Sequence, residues 1–172
     1  KAIIKGKFPR DLKHIVYGPR RLYGLCWTAI YYFSPLYFMF LTMPIFKKIL
    51  FRVFGYKGSL DFTIYPDTWI RDLPLLKKGS QCYLANRSTI GTNICLSNGF
   101  IFVEGIEINS GSMIGHLATL APGVNIGKHV EVGVGTGIGI RARIDDNTKI
   151  SPRCVINHGT VIGKNCEIGT SS

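Results

Sequence analysis

Proton transfer near neutral pH is work for imidazole, and this chain of 172 residues has four candidates: His14, His116, His129 and His158. A hydroxyl or amine is a poor nucleophile until a positioned base takes its proton, and a ring titrating near pH 7 is suited to that task. His14 lies in a basic arm, where water or a lipid headgroup is the expected neighbour. The five cysteines do not form a framework. Their number is odd, no Cys-x-x-Cys is present, and the spacing of Cys82, Cys154 and Cys166 marks them as interior residues of a reduced core rather than metal ligands. No metal is expected.

Where the other three rings can point depends on the elements that carry them. From Gly79 to Ile168 an aliphatic or aromatic residue recurs at every sixth position, from Leu84, Ile90, Leu96 and Phe102 through Ile108 and Ile114 to Ile162 and Ile168. The fourth position of each block is mostly small or β-branched, and the first is mostly Gly, Asn, Asp, Ser or Ala, residues that tolerate tight turns. Six is neither a helical period nor the alternation of a two-faced strand, so each unit is a short strand plus a corner. Three units close a coil of 18 residues, and stacked coils bury the aliphatic positions in one ladder: a parallel β-helix. Ile64, Ile70 and Leu76 extend the spacing backwards into an irregular first coil, with Lys77 and Lys78 as an insertion, giving about six coils. No long excursion is expected to interrupt them. Phe100 and Ile106 stand where small residues belong, which marks a bulge.

The pattern resembles the hexapeptide-repeat family. That resemblance implies a left-handed β-helix, a homotrimer, and acyl transfer from coenzyme A or another acyl thioester. The segment INSGSMIGH, Ile108 to His116, is similar to the base-bearing stretch of sugar acetyltransferases of that family, which implies His116 as general base. Counting in eighteens puts Asn98 one coil before it and Val134 one coil after, so Asn98 is the second catalytic candidate, to orient the ring or hold the acceptor. His158 falls on the next face. His129 has no acidic or nucleophilic residue stacked on it and is read as structural. The resemblance places the donor along a cleft between subunits, where Gly133, Gly135, Gly137 and Gly139 would let pantetheine approach backbone amides. Arg141, Arg143, Arg153 and Lys164 are the cations for its phosphates; the alternative is that these glycines only serve corners and the cations only meet water. IGHLATLAPG is also similar to the zinc corner of gamma-class carbonic anhydrases, but Ala121 stands where that family needs a second histidine, and Ser80 stands two coils of 18 before His116.

The formal net charge of +11 raises nucleic acid as a partner, but its distribution argues against it. Residues 1–58 carry eleven Lys and Arg against Asp11 alone, and residues 59–172 are close to neutral. Within the basic segment, Leu22 to Phe46 has no charged residue, is rich in aromatics and is long enough to span a bilayer, although Pro35 and Pro44 divide it. Three arrangements stay open: a re-entrant or interfacial anchor, a kinked span, or a helical pair buried in an oligomer. Phe46 to Tyr56 reads as a basic amphipathic helix lying on anionic lipid, with Phe46, Ile49, Leu50, Val53 and Phe54 as its apolar stripe. The expected organisation is a membrane-associating segment over 1–58 and an acyltransferase-like β-helix over 59–172, held at the cytoplasmic face of a membrane. Its acceptor would be a membrane-presented hydroxyl or amine, such as a lipid-linked sugar. The competing reading is a non-catalytic scaffold or the terminal domain of a larger assembly.

Overall fold

The computed structural model describes residues 3–169. Its larger part is a three-faced parallel β-solenoid of about six turns, with faces of six, five and five strands. On the first face Ile64, Leu84, Ile114, Val132, Ile150 and Ile168 stack in register. On the second the stack is Ile70, Ile90, Leu120, Ile138 and Ile156. The third runs Lys78, Ile108, Ile126, Ile144 and Ile162. Each buried aliphatic side chain removed from water contributes roughly 1.5–3 kcal/mol, and these columns meet in one core. The fourth-position residues are the second inward row: Ser112, Thr136 and Thr148 are buried, and their hydroxyls reach the carbonyls of Gly127, Ser151 and Gly163.

The left-handed backbone sits at the third position of the blocks rather than the first. Leu117, Gly135 and Arg153 share it at one corner, and His129, Asn147 and Asn165 at another. First-position glycines answer a different need, close stacking of successive coils. A Cβ on Gly133 would stand 2.5 Å from the backbone of Ser151 and Pro152 in the coil above.

Two sequence expectations are corrected. Residues 91–104 leave the coil as an excursion. Its strands, Asn93–Cys95 and Phe100–Val103, form an antiparallel sheet with Gly6–Pro9 of the N-terminal arm. Leu96 and Phe102 therefore lie outside the ladder, and strands flanking the excursion pair at a separation of 30 residues: Leu84 with Ile114, Ile90 with Leu120. An insertion of two whole hexapeptides leaves the six-residue phase unbroken, so the period count passes over it. The second correction concerns Lys78, which is no insertion: it pairs with Ile108 and takes the ladder position of the first coil, 6 % exposed. The irregular turn lies earlier, at the short helix Leu73–Leu75.

Among the described residues three α-helices precede the solenoid: α1 (Tyr17–Tyr32), α2 (Ser34–Thr42) and α3 (Pro44–Val53). Pro35 and Pro44 each sit in the first turn of the helix they open, where the missing N–H costs nothing. Among the described residues no single helix is long and apolar enough to cross a membrane, and α1 and α2 meet at 85°. Their inner faces close the N-terminal end of the solenoid. Trp27, Tyr37, Leu50 and Phe51 belong to the same core as the ladder, with Trp27 Nε1 donating to Ile70 O at 2.7 Å. Of the expected stripe on α3 only Leu50 is buried and Phe54 half-buried; Ile49 and Val53 face outward. Arg20 from α1 pairs with Asp72 of the first coil, and Thr92 at the root of the excursion donates to the same carboxylate at 2.6 Å, all three buried.

Removing one partner of a buried ion pair leaves the other charged and desolvated. Asp72→Ala is therefore expected to cost about 3–5 kcal/mol, against no more than about 1 kcal/mol for Lys149→Ala in the exposed pair with Glu131. Chemical denaturation of both variants checks this; equal losses would remove Asp72 from its place as the joint between helices and solenoid.

Candidate functional site

His116 follows the strand Met113–Ile114 and opens the corner between the first and second faces. Its carbonyl accepts the N–H of Gly135 in the coil above, which fixes the backbone. The ring, half-buried, makes no hydrogen bond or ion pair among the described residues. It borders a shallow depression of about 510 Å³ on the outer surface of the first face, lined also by Tyr83, Met113, Glu131, Val134 and Ser151. The outward side chains of that face stack as Tyr83, Met113, Glu131, Lys149 and Glu167, and Lys149 lies 3.8 Å from Glu131. A ring without a partner beside an open depression is chemically available: it can accept a proton from a bound hydroxyl or amine.

Asn98 is not at this corner. It lies on the tip of the excursion, where its Oδ1 accepts from the N–H of Phe100 at 3.3 Å. The residue below His116 is Asn86, whose carbonyl accepts from Leu117. Ser80 likewise belongs to a different corner, with Ser110 stacked on it. Both displacements follow from the twelve residues that the excursion adds between the second coil's second and third faces. Val134 does stack above His116 as expected.

His158 stands at the corner between the second and third faces. Its Nδ1 accepts the N–H of Ile140 at 2.8 Å, and Gly139 leaves the room for it, since a Cβ there would stand 2.7 Å from the same nitrogen. That hydrogen bond makes the ring a corner strut. His129 packs over Gly111 and His14 stacks on Phe8.

The residues expected to hold a thioester donor are spread over three corners. Gly133, Gly135 and Arg153 share the corner of His116, and the would-be Cβ of Gly135 is 3.7 Å from the Arg153 side chain. Gly137 lies in the second face, and Gly139 and Arg141 occupy the corner of His158. Arg143 faces outward on the third face and Lys164 sits at the third corner. Three of the four cations already have partners: Arg141 with Glu104 at 3.3 Å, Arg143 with Asp145 at 2.8 Å, Lys164 with Asp146 at 3.5 Å. Arg153 has no ion pair among the described residues.

Residues 141–172 match the family model described as bacterial transferase hexapeptide (six repeats). The coordinates carry the same strand-and-corner unit back to the strand Phe62–Ile64. Over residues 141–172 the chain is similar to the bacterial hexapeptide-repeat transferases. Among solved structures it is similar to a hexapeptide-repeat containing acetyltransferase from Vibrio cholerae, at 10 % identity, with 84 % of this chain and 88 % of that one covered and a TM-score of 0.43. No curated protein matches it in sequence.

What the hexapeptide-repeat pattern hides lies at the capped end. The Phe62 ring has the Lys78 Nζ at 3.7 Å from its centre and the Lys47 Nζ at 4.0 Å. Burial pushes the Lys78 ammonium down to about 8 and the Lys47 ammonium below the ordinary lysine range. The only signal in the sequence is the pair Lys77 and Lys78, which breaks the six-residue spacing after Leu76.

The sign of the consequence is fixed. Below the folded value of about 8, Lys78 is charged in both folded and unfolded chains and its burial penalty is complete. As pH rises from there toward the unfolded value of about 10.4, the unfolded chain holds a proton that the folded one has released, so stability rises. The difference in denaturation midpoint between Lys78→Met and wild type is expected to favour the variant at about pH 7 and to shrink by about pH 10. A difference that stays constant across that interval would show that the ammonium is not desolvated.

Proposed function

We propose that this protein is an acyltransferase that takes an acyl group from a thioester such as acetyl-coenzyme A and delivers it to a hydroxyl or amine presented at a membrane. The observation that carries the reading is the His116 imidazole, unengaged at a coil corner beside a depression and below the glycine-lined turn of Gly133 and Gly135. In the reaction the ring takes the acceptor's proton, the acceptor oxygen or nitrogen attacks the thioester carbonyl, and collapse of the tetrahedral intermediate breaks the carbon–sulfur bond as the imidazolium returns the proton to the departing sulfur, releasing the thiol. Arg153, the cation without an ion pair at the same corner, is the best placed to meet a donor phosphate. Assembly as a homotrimer would set a neighbouring chain against this corner and complete the cleft.

Membrane attachment is supported by the outer faces of the helices. On α1, Leu22, Leu25, Ala29 and Tyr32 form an exposed stripe, and on α3, Ile45, Ile49 and Val53 form another, with Val53 75 % exposed. Exposed Arg21, Lys48 and Lys57 flank them. An apolar face with cations beside it partitions to an anionic bilayer surface, in this reading the cytoplasmic leaflet, and there meets a lipid-borne acceptor at high local concentration.

One observation favours a non-catalytic scaffold instead: three of the four cations expected at a donor site are held by carboxylates of their own chain. Kinetics decide between the two. His116→Ala is expected to lower kcat/KM about 10²–10⁴-fold with acetyl-coenzyme A binding retained, and His158→Ala to change it little. A wild-type protein that neither binds nor turns over acetyl-coenzyme A would leave the scaffold, and an H116A variant with full activity would remove His116 as the base. In a separate flotation assay, Ile49→Glu with Val53→Glu is expected to reduce capture on anionic vesicles at least tenfold; undiminished capture would remove α3 from the membrane contact.

A further inference from the structure

The lysines at the capped end have no role in acyl transfer, yet their arrangement is one that folding alone does not favour. Lys78 occupies a ladder position at which the coils above it carry Ile108, Ile126, Ile144 and Ile162. Its ammonium donates to Gly79 O at 2.7 Å, and that of Lys47 donates to Phe62 O at the same distance. Each ammonium has three N–H donors, so both retain capacity. Neither has a carboxylate within ion-pair distance among the described residues. Two like charges, Lys78 buried and Lys47 half-buried, are thus held against one phenyl ring with Asp61 acting on them only from beyond ion-pair distance, an arrangement that costs free energy unless an anion compensates it.

The place for that anion adjoins them. A pocket of about 640 Å³, within the range of small-ligand sites, lies between the α2–α3 elbow and the first two coils. Lys47, Lys48, Gln81 and Thr63 supply its polar lining, and Leu41 and Pro44 an apolar edge. We propose that this pocket binds a phosphoryl group, with Lys47 and Lys48 as its direct cationic partners and the buried Lys78 as a positioning charge behind Phe62. A compact ammonium serves a phosphate as a point charge, and two such groups converging on one anion relieve each other's repulsion. Asp61 also lines the pocket and makes no ion pair among the described residues, so it opposes the anion. The apolar edge continues into the exposed Met43 and Ile45, where acyl chains would lie if the phosphoryl group belongs to a lipid. Only that lipid source rests on the membrane reading above; the site itself does not.

The experiment pairs calorimetric titration with inorganic phosphate, at constant ionic strength in chloride, with flotation on vesicles of phosphatidylglycerol. Phosphate is expected to bind wild type. Lys47→Gln should weaken it at least tenfold, Lys78→Met several-fold, and Asp61→Asn should strengthen it several-fold. Denaturation midpoints in the absence of phosphate confirm that each variant is folded, and Lys48→Gln, on the exposed side of α3, provides a second test should Lys47→Gln not fold. Vesicle capture that falls with Lys47→Gln assigns the phosphoryl group to a lipid. Phosphate binding with vesicle capture that ignores Lys47 assigns it to a soluble phosphorylated ligand, and phosphate binding without vesicle capture overturns the anchor and keeps the pocket. No phosphate binding, or binding indifferent to Lys47 and Lys78, overturns the site even where vesicles are still captured through the apolar stripes.

Discussion

A stack of coils held together by an aliphatic ladder has a weakness at its end: the first coil presents an apolar cross-section that no further coil covers. In this protein three helices meet that constraint, and much of the N-terminal segment follows from it. Trp27, Tyr37, Leu50 and Phe51 turn inward to finish the core, while Ile70 O, a carbonyl of the first coil, is satisfied by the Trp27 indole. The 85° elbow between α1 and α2 is what lets short helices lie across the end of a prism instead of running past it. Since a helix seated this way buries one face only, the opposite faces of α1 and α3 are left apolar and exposed.

The same end accounts for the polar residues buried there. Arg20, Asp72 and Thr92 tie α1, the first coil and the root of the excursion at one carboxylate, so the joint between helices and solenoid is directional rather than merely greasy. The excursion in turn pairs with Gly6–Pro9, and Glu104 at its base lies 3.4 Å from Lys5 and 3.3 Å from Arg141 two coils higher. The N-terminal arm is thereby fastened to the middle of the solenoid, and a cation expected to meet a donor phosphate is instead part of that fastening.

How much of this could be read from residues alone depends on what periodicity can register. The columns from Ile108 to Ile168 were legible because each coil repeats a burial requirement at a fixed spacing, and the parallel solenoid follows. The excursion was not, because residues 91–104 add two whole periods and supply Leu96 and Phe102 in phase, although neither enters the core. That one omission moved Asn98 to the His116 corner and Ser80 beneath it. The stacking of Val134 above His116 is legible because the count above the excursion runs in unbroken eighteens. Lys78 is hidden for a chemical reason: ladder positions are apolar, so a charge at one reads as an interruption of the repeat.

The charge distribution takes on a different meaning once side chains are placed. Eleven basic residues in the first 58 suggest a cationic surface, but Arg20 is buried and neutralised by Asp72, while Arg52, still exposed, donates to the carbonyls of Tyr56 and Gly58. Lys47 is drawn in against Phe62. Most of the others, among them Lys5, Lys7, Arg10, Lys13, Arg21, Lys48 and Lys57, stay exposed. Exposed cations spaced along a surface give an attraction that salt screens over about 10 Å at 0.1 M ionic strength, whereas a desolvated ammonium interacts across a lower dielectric and is screened far less. Any anion recognised at this end is therefore discriminated mainly by the few lysines the fold has withdrawn from water, and the many that remain in it set only how fast it arrives.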